Sequence, residues 1–475
     1  MTSTPYALMG ATTSSTTRLL EVFRCTGALL LAIAGSALTP LPCAFSLSGL
    51  ALGTLILLLI GIANDYTTVI MVRAAAELGV SGYEEIVERA SGPRSLVWCQ
   101  VSLVILLFGS MCCCLEVIQE TSTRALGEVA LEANGALASG WLSGTSEGQA
   151  VVLVTLTTAL LLPLSLASMG ELPIVSAVGV AMMALLCLYV TFLASGIVEH
   201  HVPLRDAGLA QPTPQQSHST IPSFADLSKA ASTFGYAFYI QPCALPLLRG
   251  LPDGAEGGSI LERALHLTFV LTAASYLTVG VGGLVIFGDG HVPQDLLQGF
   301  GGRVGGALSG LFCLYLCLCF PPILVPLREV LVRLWHRSAG NVRERDGDVA
   351  HASVLPPLYN ALLTAALIGG ALAIALLLPD ASSTLFALTG ATGVCCVSYI
   401  FPILTYWGLS RQQSEGASSK AAAASHSAHF VRFMTYHVWP AFVLGLGTLA
   451  SALTLWTVVR SLASSAADGA TCGGE

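Results

Sequence analysis

Two short stretches of an otherwise apolar chain carry residue types that could hold a ligand. The first is Gly35-Ser36-Ala37-Leu38-Thr39-Pro40-Leu41-Pro42. Two prolines one residue apart, preceded by glycine, interrupt a helix: proline has no N–H to donate and its ring clashes with the preceding turn. The second is Ser232-Thr233-Phe234-Gly235, followed by Gln241-Pro242 and Pro246, with the same character. In hydrocarbon, such breaks survive only against protein or a cavity. The N–H groups of Gly35, Ser36 and Ala37 would open the second half of a broken helix, where the positive end of the dipole suits a carboxylate. Ser36 can add its hydroxyl to the ligand or satisfy a neighbouring carbonyl. Carbonyls freed around Phe234 and Gly235 can take an ammonium. The pair describes a site for a zwitterion that needs no buried acid. Phe234, Phe238 and Tyr239 either shape a side-chain pocket or pack the bundle. Thr389 and Thr392 either face the site or bond back to their own helix.

Ionisable residues inside the apolar runs are few and costly there. Glu116, in Cys114-Leu115-Glu116, is the candidate proton relay; the alternative places it near the outer interface, close to Glu120. Asp65 stands late in the second run and could take a polar partner. His266 starts the seventh and reads as interfacial. The 14 cysteines sit mostly in apolar context, without a disulfide framework or zinc spacing, so neither a metal nor a cofactor is expected.

The elements that position these residues follow from composition. Of 475 residues 54% are hydrophobic and 10% charged, against roughly 25% charged in soluble domains. A net charge of -8 offers no basic footprint for nucleic acid. A soluble enzyme is excluded by the missing charged shell, and bulk disorder by the apolar content. A spanning helix needs about 20 predominantly apolar residues. Eleven candidates lie at 26–47, 49–72, 96–118, 148–168, 172–196, 227–248, 265–287, 304–327, 355–378, 383–407 and 435–459. Ser48-Gly49 marks the turn between the first two, and Tyr83–Arg89 reads as an amphipathic helix at the interface. With the N-terminus in the cytosol, fifteen Lys and Arg fall on the cytosolic side and five on the other, the bias expected of loops that stay inside.

The fold class is thus all-α integral membrane, with about eleven transmembrane helices that read as two sets of five plus one extra helix if spans 1–5 and 6–10 are two repeats. Residues 1–25 are expected as a cytosolic tail, 26–196 as the first five-helix repeat and 197–226 as a non-cytosolic loop. Residues 227–407 form the second repeat, 408–434 a flexible cytosolic linker, 435–459 the eleventh helix and 460–475 the C-terminal tail. The two breaks stand in spans one and six, corresponding places in the two halves. Paired interruptions of this kind point to a substrate site at the membrane middle.

These residues resemble the amino acid/auxin permease family. Gly35-Ser36-Ala37-Leu38-Thr39-Pro40-Leu41-Pro42-Cys43-Ala44 is similar to its opening pattern G-S-G-x-L-x-L-P-x-A. Phe234–Pro242 resembles the second-half pattern F-x-F-x-C-H-P. Further likenesses are Tyr276-Leu277-Thr278-Val279-Gly280 with Phe287-Gly288, Pro321 with Pro326-Leu327-Arg328, and Phe386–Thr392 with Tyr399-Ile400-Phe401-Pro402. The resemblance implies a leucine-transporter fold, a 5+5 inverted repeat plus one extra helix, that moves amino acids on sodium or protons. Three departures bear on that. Ala37 replaces the glycine after Ser36, and Gln241 the histidine near the second break. At the family's sodium site, Leu31 stands for an asparagine, and Cys317 or Cys319 for a threonine. Sodium is a hard cation that prefers oxygen, so this site is not expected to bind it.

The expected function is secondary transport of a small or medium neutral amino acid, proton-coupled or otherwise sodium-independent, with a proton gradient as the expected driving force. The alternative is an amino-acid-sensing receptor on the same scaffold. Enzyme motifs are lacking. The partners are the amino acid and the lipid bilayer, without nucleic acid; the membrane is the plasma membrane or a lysosomal or vacuolar one. A valine at Gly35 is expected to harm binding more than one at Gly53, which reads as a packing position in an unbroken span.

Overall fold

The computed structural model describes residues 15–33, 35–132, 146–166, 172–196, 222–288, 292–293, 295–338, 356–377, 382–416 and 438–471. Nearly all of these are helical. In chain order the helices begin with α1 (Ser15–Ile33), α2 (Leu41–Ser48), α3 (Leu50–Leu78), α4 (Tyr83–Ser91) and α5 (Pro93–Glu132). Next come α6, built from Ser146–Leu156, a π turn Thr157–Leu161 and Leu162–Leu166, and then α7 (Leu172–Ala194). The second half holds α8 (Phe224–Ala237), α9 (Gln241–Ala244), α10 (Ala255–Phe287), α11 (Gly302–Ser338) and α12 (Pro357–Leu377). Helix α13 (Ser382–Thr389) runs through a π segment, Gly390–Ile400, into α14 (Phe401–Gly416); α15 spans Trp439–Thr471.

Among the described residues nine helices are long and apolar enough to cross a membrane, or up to ten if the pair α1 and α2, bent by 63°, counts as one span. The chain is an all-α, multi-pass integral membrane protein. The expected span 227–248 is present in pieces: α8, a non-helical stretch, α9 and a 3-10 turn Leu245–Gly250. Neither piece reaches spanning length alone.

Several boundaries differ from the hydropathy reading, each for a local reason. Helix α5 continues to Glu132 although its apolar run ends near 118. Thr121 and Thr123 return their hydroxyls to Val117 O at 2.7 Å and Gln119 O at 2.8 Å, so polar residues prolong the helix without exposing unpaired groups. The first helix starts at Ser15, inside the expected tail, and Arg18 ties it to Glu256 of α10 at 2.7 Å. Helix α14 runs to Gly416, past the expected start of a flexible linker, and Gln412 donates to Arg89 O at 3.2 Å on α4. Helix α15 likewise reaches Thr471, into the expected C-terminal tail. Most of the expected loop 197–226, the rest of the 408–434 linker and residues 1–14 and 472–475 lie outside the described residues. The turn at Ser48-Gly49 forms as expected: Gly49 takes φ 74°, a conformation that β-carbons disfavour.

The broken elements lie at the centre. Helices α5 and α11 pack along one another, and α10 lies against α1, α2, α3 and α7. Three prolines stand inside α11, at 321, 322 and 326. Pro326 cannot donate to Pro322 O, and the Cys243 thiol on α9 approaches that carbonyl at 3.5 Å instead. Helix α4 is keyed to the π segment: Tyr83 donates to Val397 O at 2.6 Å. Small residues let helices approach closely, as membrane bundles require. A β-carbon on Gly393 would stand 2.7 Å from Leu106 Cα and 2.9 Å from Leu106 N, both backbone atoms of α5. Gly393→Val is therefore expected to cost about 1–3 kcal/mol through overpacking. Gly369→Ala, where an added β-carbon meets nothing within 4 Å, should be near neutral. Thermal unfolding of the two variants in detergent checks the contrast.

Candidate functional site

The first break follows from its residues. Helix α1 stops at Ile33, Gly35 takes φ -29° and ψ -134°, and Ser36–Leu38 makes one 3-10 turn before Pro40 leads into α2. Pro42 stands in the first turn of α2, where an N–H has no helical partner anyway. The second break begins where α8 ends at Ala237. Phe238 N–H bonds back to Gly235 O at 3.3 Å, Ile240 lies at φ -149°, and α9 restarts at Gln241-Pro242.

One side chain joins the two breaks. The Tyr276 hydroxyl, on α10, lies 2.7 Å from Ala237 O and 3.0 Å from Ile33 O. These are the last carbonyls of the two interrupted half-helices. A phenol has a single proton, so the two acceptors share it, the Ala237 carbonyl at the shorter distance. Tyr276 is fully buried. In the sequence it belongs to a likeness in the seventh span, with nothing in its neighbours to show what it would reach.

Gln241, standing where the resemblance implies a histidine, heads α9 and is fully buried. Its Oε1 accepts from Ile240 N at 3.1 Å and Ser398 Oγ at 3.0 Å. Its Nε2 donates to Asn64 Oδ1 at 3.2 Å and reaches Thr67 Oγ1 at 3.5 Å. Asn64 in turn donates to Ile60 O and Tyr399 OH, both at 3.0 Å. A neutral amide with two donors and a two-lone-pair acceptor can satisfy all four directions. The knot ties α3, α9 and the π segment together.

The expected site residues divide. Ser36 and Ala37 are buried at the first break, and a β-carbon on Gly35 would meet nothing within 4 Å. Open space adjoins Gly235 as well, but that glycine lines an apolar cleft with α3, the π segment and α15. Phe234 packs edge-on against Phe45 of α2, centroids 5.2 Å apart. Phe238 covers Gly61 and meets Phe269 and Tyr276. These two phenylalanines therefore point to α2, α3 and α10. Tyr239 turns the other way, 5.3 Å from Tyr236. Thr389 packs over Gly109 of α5 and contacts Cys113; Thr392 bonds back to Leu388 O at 2.7 Å. Sequence reading missed Tyr236, Ser110 and Cys113, which the structure gathers beside Ser36. The only signal for Ser110 and Cys113 is a helical spacing of polar groups on α5, while Tyr236 stands on α8 next to the expected Gly235.

Gly53 is a packing position, as its place in an unbroken span suggested, and a tight one. A β-carbon there would stand 2.5 Å from Ser48 Oγ and 3.0 Å from Phe45 Cδ1. Valine would strain the turn between α2 and α3, so Gly53 is not a benign comparison for Gly35.

The positions implied as a sodium site are apolar or sulfurous. Leu31 fills the notch left by Gly179, beside Tyr315. Cys317 and Cys319 are buried on α11, and Cys317 is hydrogen-bonded with Cys313. Among the described residues no three His, Cys, Asp or Glu side chains gather as a metal site. Glu116 is buried on α5 at 3% exposure, one turn beyond Cys112. Asp65 meets His266 Nδ1 at 2.8 Å, and an Arg73–Glu262 pair continues the same face of α3 and α10.

The two ends of the site are closed differently. At the end where α1 begins, Arg249 grips Glu329 with two bonds, at 2.9 and 3.0 Å, and reaches Ser81 at 3.0 Å. Arg333 links Glu329 at 3.1 Å to Glu84 of α4 at 3.0 Å. Burial raises the Glu84 carboxyl above its usual range, with Arg333 opposing. At the far end, Leu296 N donates to Thr39 O at 3.0 Å. The neighbouring Asp295 accepts from Leu297 N at 2.7 Å. Burial raises the Asp295 carboxyl, while Arg124 and the bonds from Leu297 and Thr39 act the other way.

A family model described as transmembrane amino acid transporter protein matches residues 20–443. Similar proteins include a putative sodium-coupled neutral amino acid transporter 10 from Xenopus laevis, 23% identical over 376 residues, 79% of this chain and 33% of that one. Sodium-coupled neutral amino acid transporter 7 from Bos taurus is 24% identical over 379 residues, 78% of this chain and 75% of that one. Amino acid transporter AVT6B from Arabidopsis thaliana is 23% identical over 385 residues, 78% of each. The chain thus spans about a third of the Xenopus relative and about three quarters of the other two.

Two outcomes are expected. Tyr276→Phe strips the shared donor from two buried carbonyls and should cost about 1–3 kcal/mol, read as a lower unfolding midpoint in detergent. The second concerns pH. A carboxyl raised in the folded state binds its proton more tightly there than when unfolded. Stability then falls as pH climbs from the unfolded value of about 3.9 through the raised one. Asparagine keeps the acceptor for Leu297 N and carries no charge. Asp295→Asn should therefore gain on the parent at neutral pH but not near about pH 3; parallel stability curves would contradict this.

Proposed function

The chain belongs to the family of transmembrane amino acid transporter proteins, and on that premise we propose that it is a secondary transporter of a neutral amino acid. The substrate binds as a zwitterion between the two breaks. Its carboxylate meets the N–H groups at Gly35, Ser36 and Ala37, and its ammonium the carbonyl ends of the half-helices. The observation that carries this reading is the Tyr276 bridge: it holds both helix ends together beside the open space at Gly35. A charged ligand with both signs offsets both ends at once, and needs no buried counter-ion, which would be costly unpaired.

Eleven spans in a 5+5 inverted repeat, with the N-terminus in the cytosol, are part of this proposal. Spans one and six would then be the two broken elements, and the Arg249–Glu329–Arg333–Glu84 lattice would close the cytosolic end. Transport requires that lattice to open while the far end shuts, and the reverse. The relatives' printed names include sodium coupling, but the oxygen ligands the resemblance implies are replaced here by Leu31 and the α11 cysteines. We therefore assign the driving force to protons, with Glu116 as the relay group.

Flux into proteoliposomes tests the reading. Replacing sodium by choline at fixed pH should leave uptake unchanged, and an inward proton gradient should raise it. Glu116→Gln should weaken the dependence on that gradient. Loss of uptake in choline would reject the sodium-independent reading. Ligand binding without any flux would favour a receptor.

A further inference from the structure

Three helices, α5, α8 and α13, and the stretch after α8 bring hydroxyls and a thiol to one patch beside Ser36. Tyr236, buried at 3% exposure near the end of α8, is in polar contact with Ser36 at the first break and with Ser110 on α5. Tyr239 also reaches Ser110. Cys113, one turn along α5 from Ser110, contacts Tyr236 and Thr389. Ser110 donates its own proton to Leu106 O at 2.7 Å, so it offers the tyrosines lone pairs only. The Tyr236 ring is fixed edge-on by Phe386, centroids 4.9 Å apart, and lies 5.3 Å from Tyr239. On α5 the wall is equally close: Thr389 Cγ2 would be 3.0 Å from a β-carbon on Gly109.

We infer that Tyr236, with Ser110 and Tyr239, sets side-chain specificity, and that it selects small neutral amino acids, hydroxylated ones first. This rests on the zwitterion reading above. A carboxylate at Ser36 places the substrate's β-carbon beside the Ser36–Tyr236 contact. A short side chain ending in a hydroxyl can enter that contact and leave every polar group paired. A methyl is small enough to fit but pairs with none of them. A branched or long apolar side chain must displace two buried, ring-packed tyrosines and leave their hydroxyls without partners. Sites that hydrogen-bond a substrate hydroxyl discriminate strongly against analogues lacking it, because buried polar groups are otherwise stranded. Phe234 and Phe238, turned toward other helices, take no part in this selection.

The test uses the full chain in proteoliposomes, with radiolabelled serine, alanine, threonine, glutamine and leucine offered singly and in competition. The parent should take serine and threonine ahead of alanine, with leucine and glutamine at least about tenfold weaker than serine, as expected for a lost hydrogen bond plus displaced rings. Tyr236→Phe keeps the ring and its packing; it should lower the serine-to-alanine ratio about tenfold while alanine flux persists. Ser110→Ala is a second variant with a smaller change of shape and should move the ratio the same way. Tyr239→Ala should admit leucine. An unfolding midpoint near the parent's guards against a folding artefact, and a ratio of two substrates is insensitive to how much protein survives. An unchanged ratio in both variants, or a parent that prefers leucine or glutamine, would overturn the inference while leaving amino acid transport standing. If no amino acid is bound or carried at all, the zwitterion reading itself fails.

Discussion

A single shared proton organises the centre of this molecule. Interrupting two helices in hydrocarbon leaves carbonyls that water cannot reach, and each such group costs roughly 1–3 kcal/mol if unpaired. Tyr276 meets the last carbonyl of both half-helices with one hydroxyl. Because it must divide one donor between two acceptors, the site keeps residual negative character at its carbonyl ends. That is a suitable environment for an ammonium. The opposite polarity comes from the N–H groups of Gly35, Ser36 and Ala37, at the start of the 3-10 turn Ser36–Leu38 that precedes α2. In the proposed account, polar backbone rather than charged side chains supplies the recognition, and the cost of the breaks becomes the basis of the binding.

Around this centre the supports are neutral and fully paired. Gln241 satisfies four directions with one amide and fixes α9 against α3 and the π segment. Cys243 covers the carbonyl that Pro326 cannot serve. A charged group in either place would cost more to desolvate and would need a counter-charge, whereas an amide and a thiol need only hydrogen-bond partners. Charge is concentrated instead at the end where α1 begins, in the lattice of Arg249, Glu329, Arg333 and Glu84. The far end is held by a main-chain bond between Leu296 and Thr39 and by the capping of Asp295. The two closures differ in kind, one an ion-pair lattice and the other a backbone contact with a buried carboxylate. They therefore respond differently to pH and salt.

The breaks were legible in the sequence because proline and glycine act locally: Pro40, Pro42 and Gly35 forbid a continuous helix whatever surrounds them. The apolar runs, the Ser48-Gly49 turn and the short helix near Tyr83–Arg89 were legible for the same reason. Helix ends were less so, since Thr121 and Thr123 hide their polarity by bonding to their own turns, and hydropathy cannot see that. The direction of side chains at the second break was not legible. Phe234, Phe238 and Tyr239 are close in sequence, yet the first two face α2, α3 and α10 and the third faces α5, because α8 unwinds between them. Long-range partnerships such as Tyr276 with Ile33, or Tyr236 with Ser110, leave no trace in spacing. Gly53 read as a packing position, but only the fold shows that Ser48 and Phe45 are pressed against it.

The central claim is that both ends of a zwitterion are read by the two breaks. Competition binding on the purified protein tests it most directly, with a small amino acid, its decarboxylated amine and its deaminated acid as competitors. Each lost charge-assisted bond is worth about 1.5–3 kcal/mol. Both analogues should therefore bind at least about tenfold more weakly than the parent amino acid. An amine that binds as well as the amino acid would contradict the account, because the N–H groups at Gly35, Ser36 and Ala37 would then have no ligand to hold.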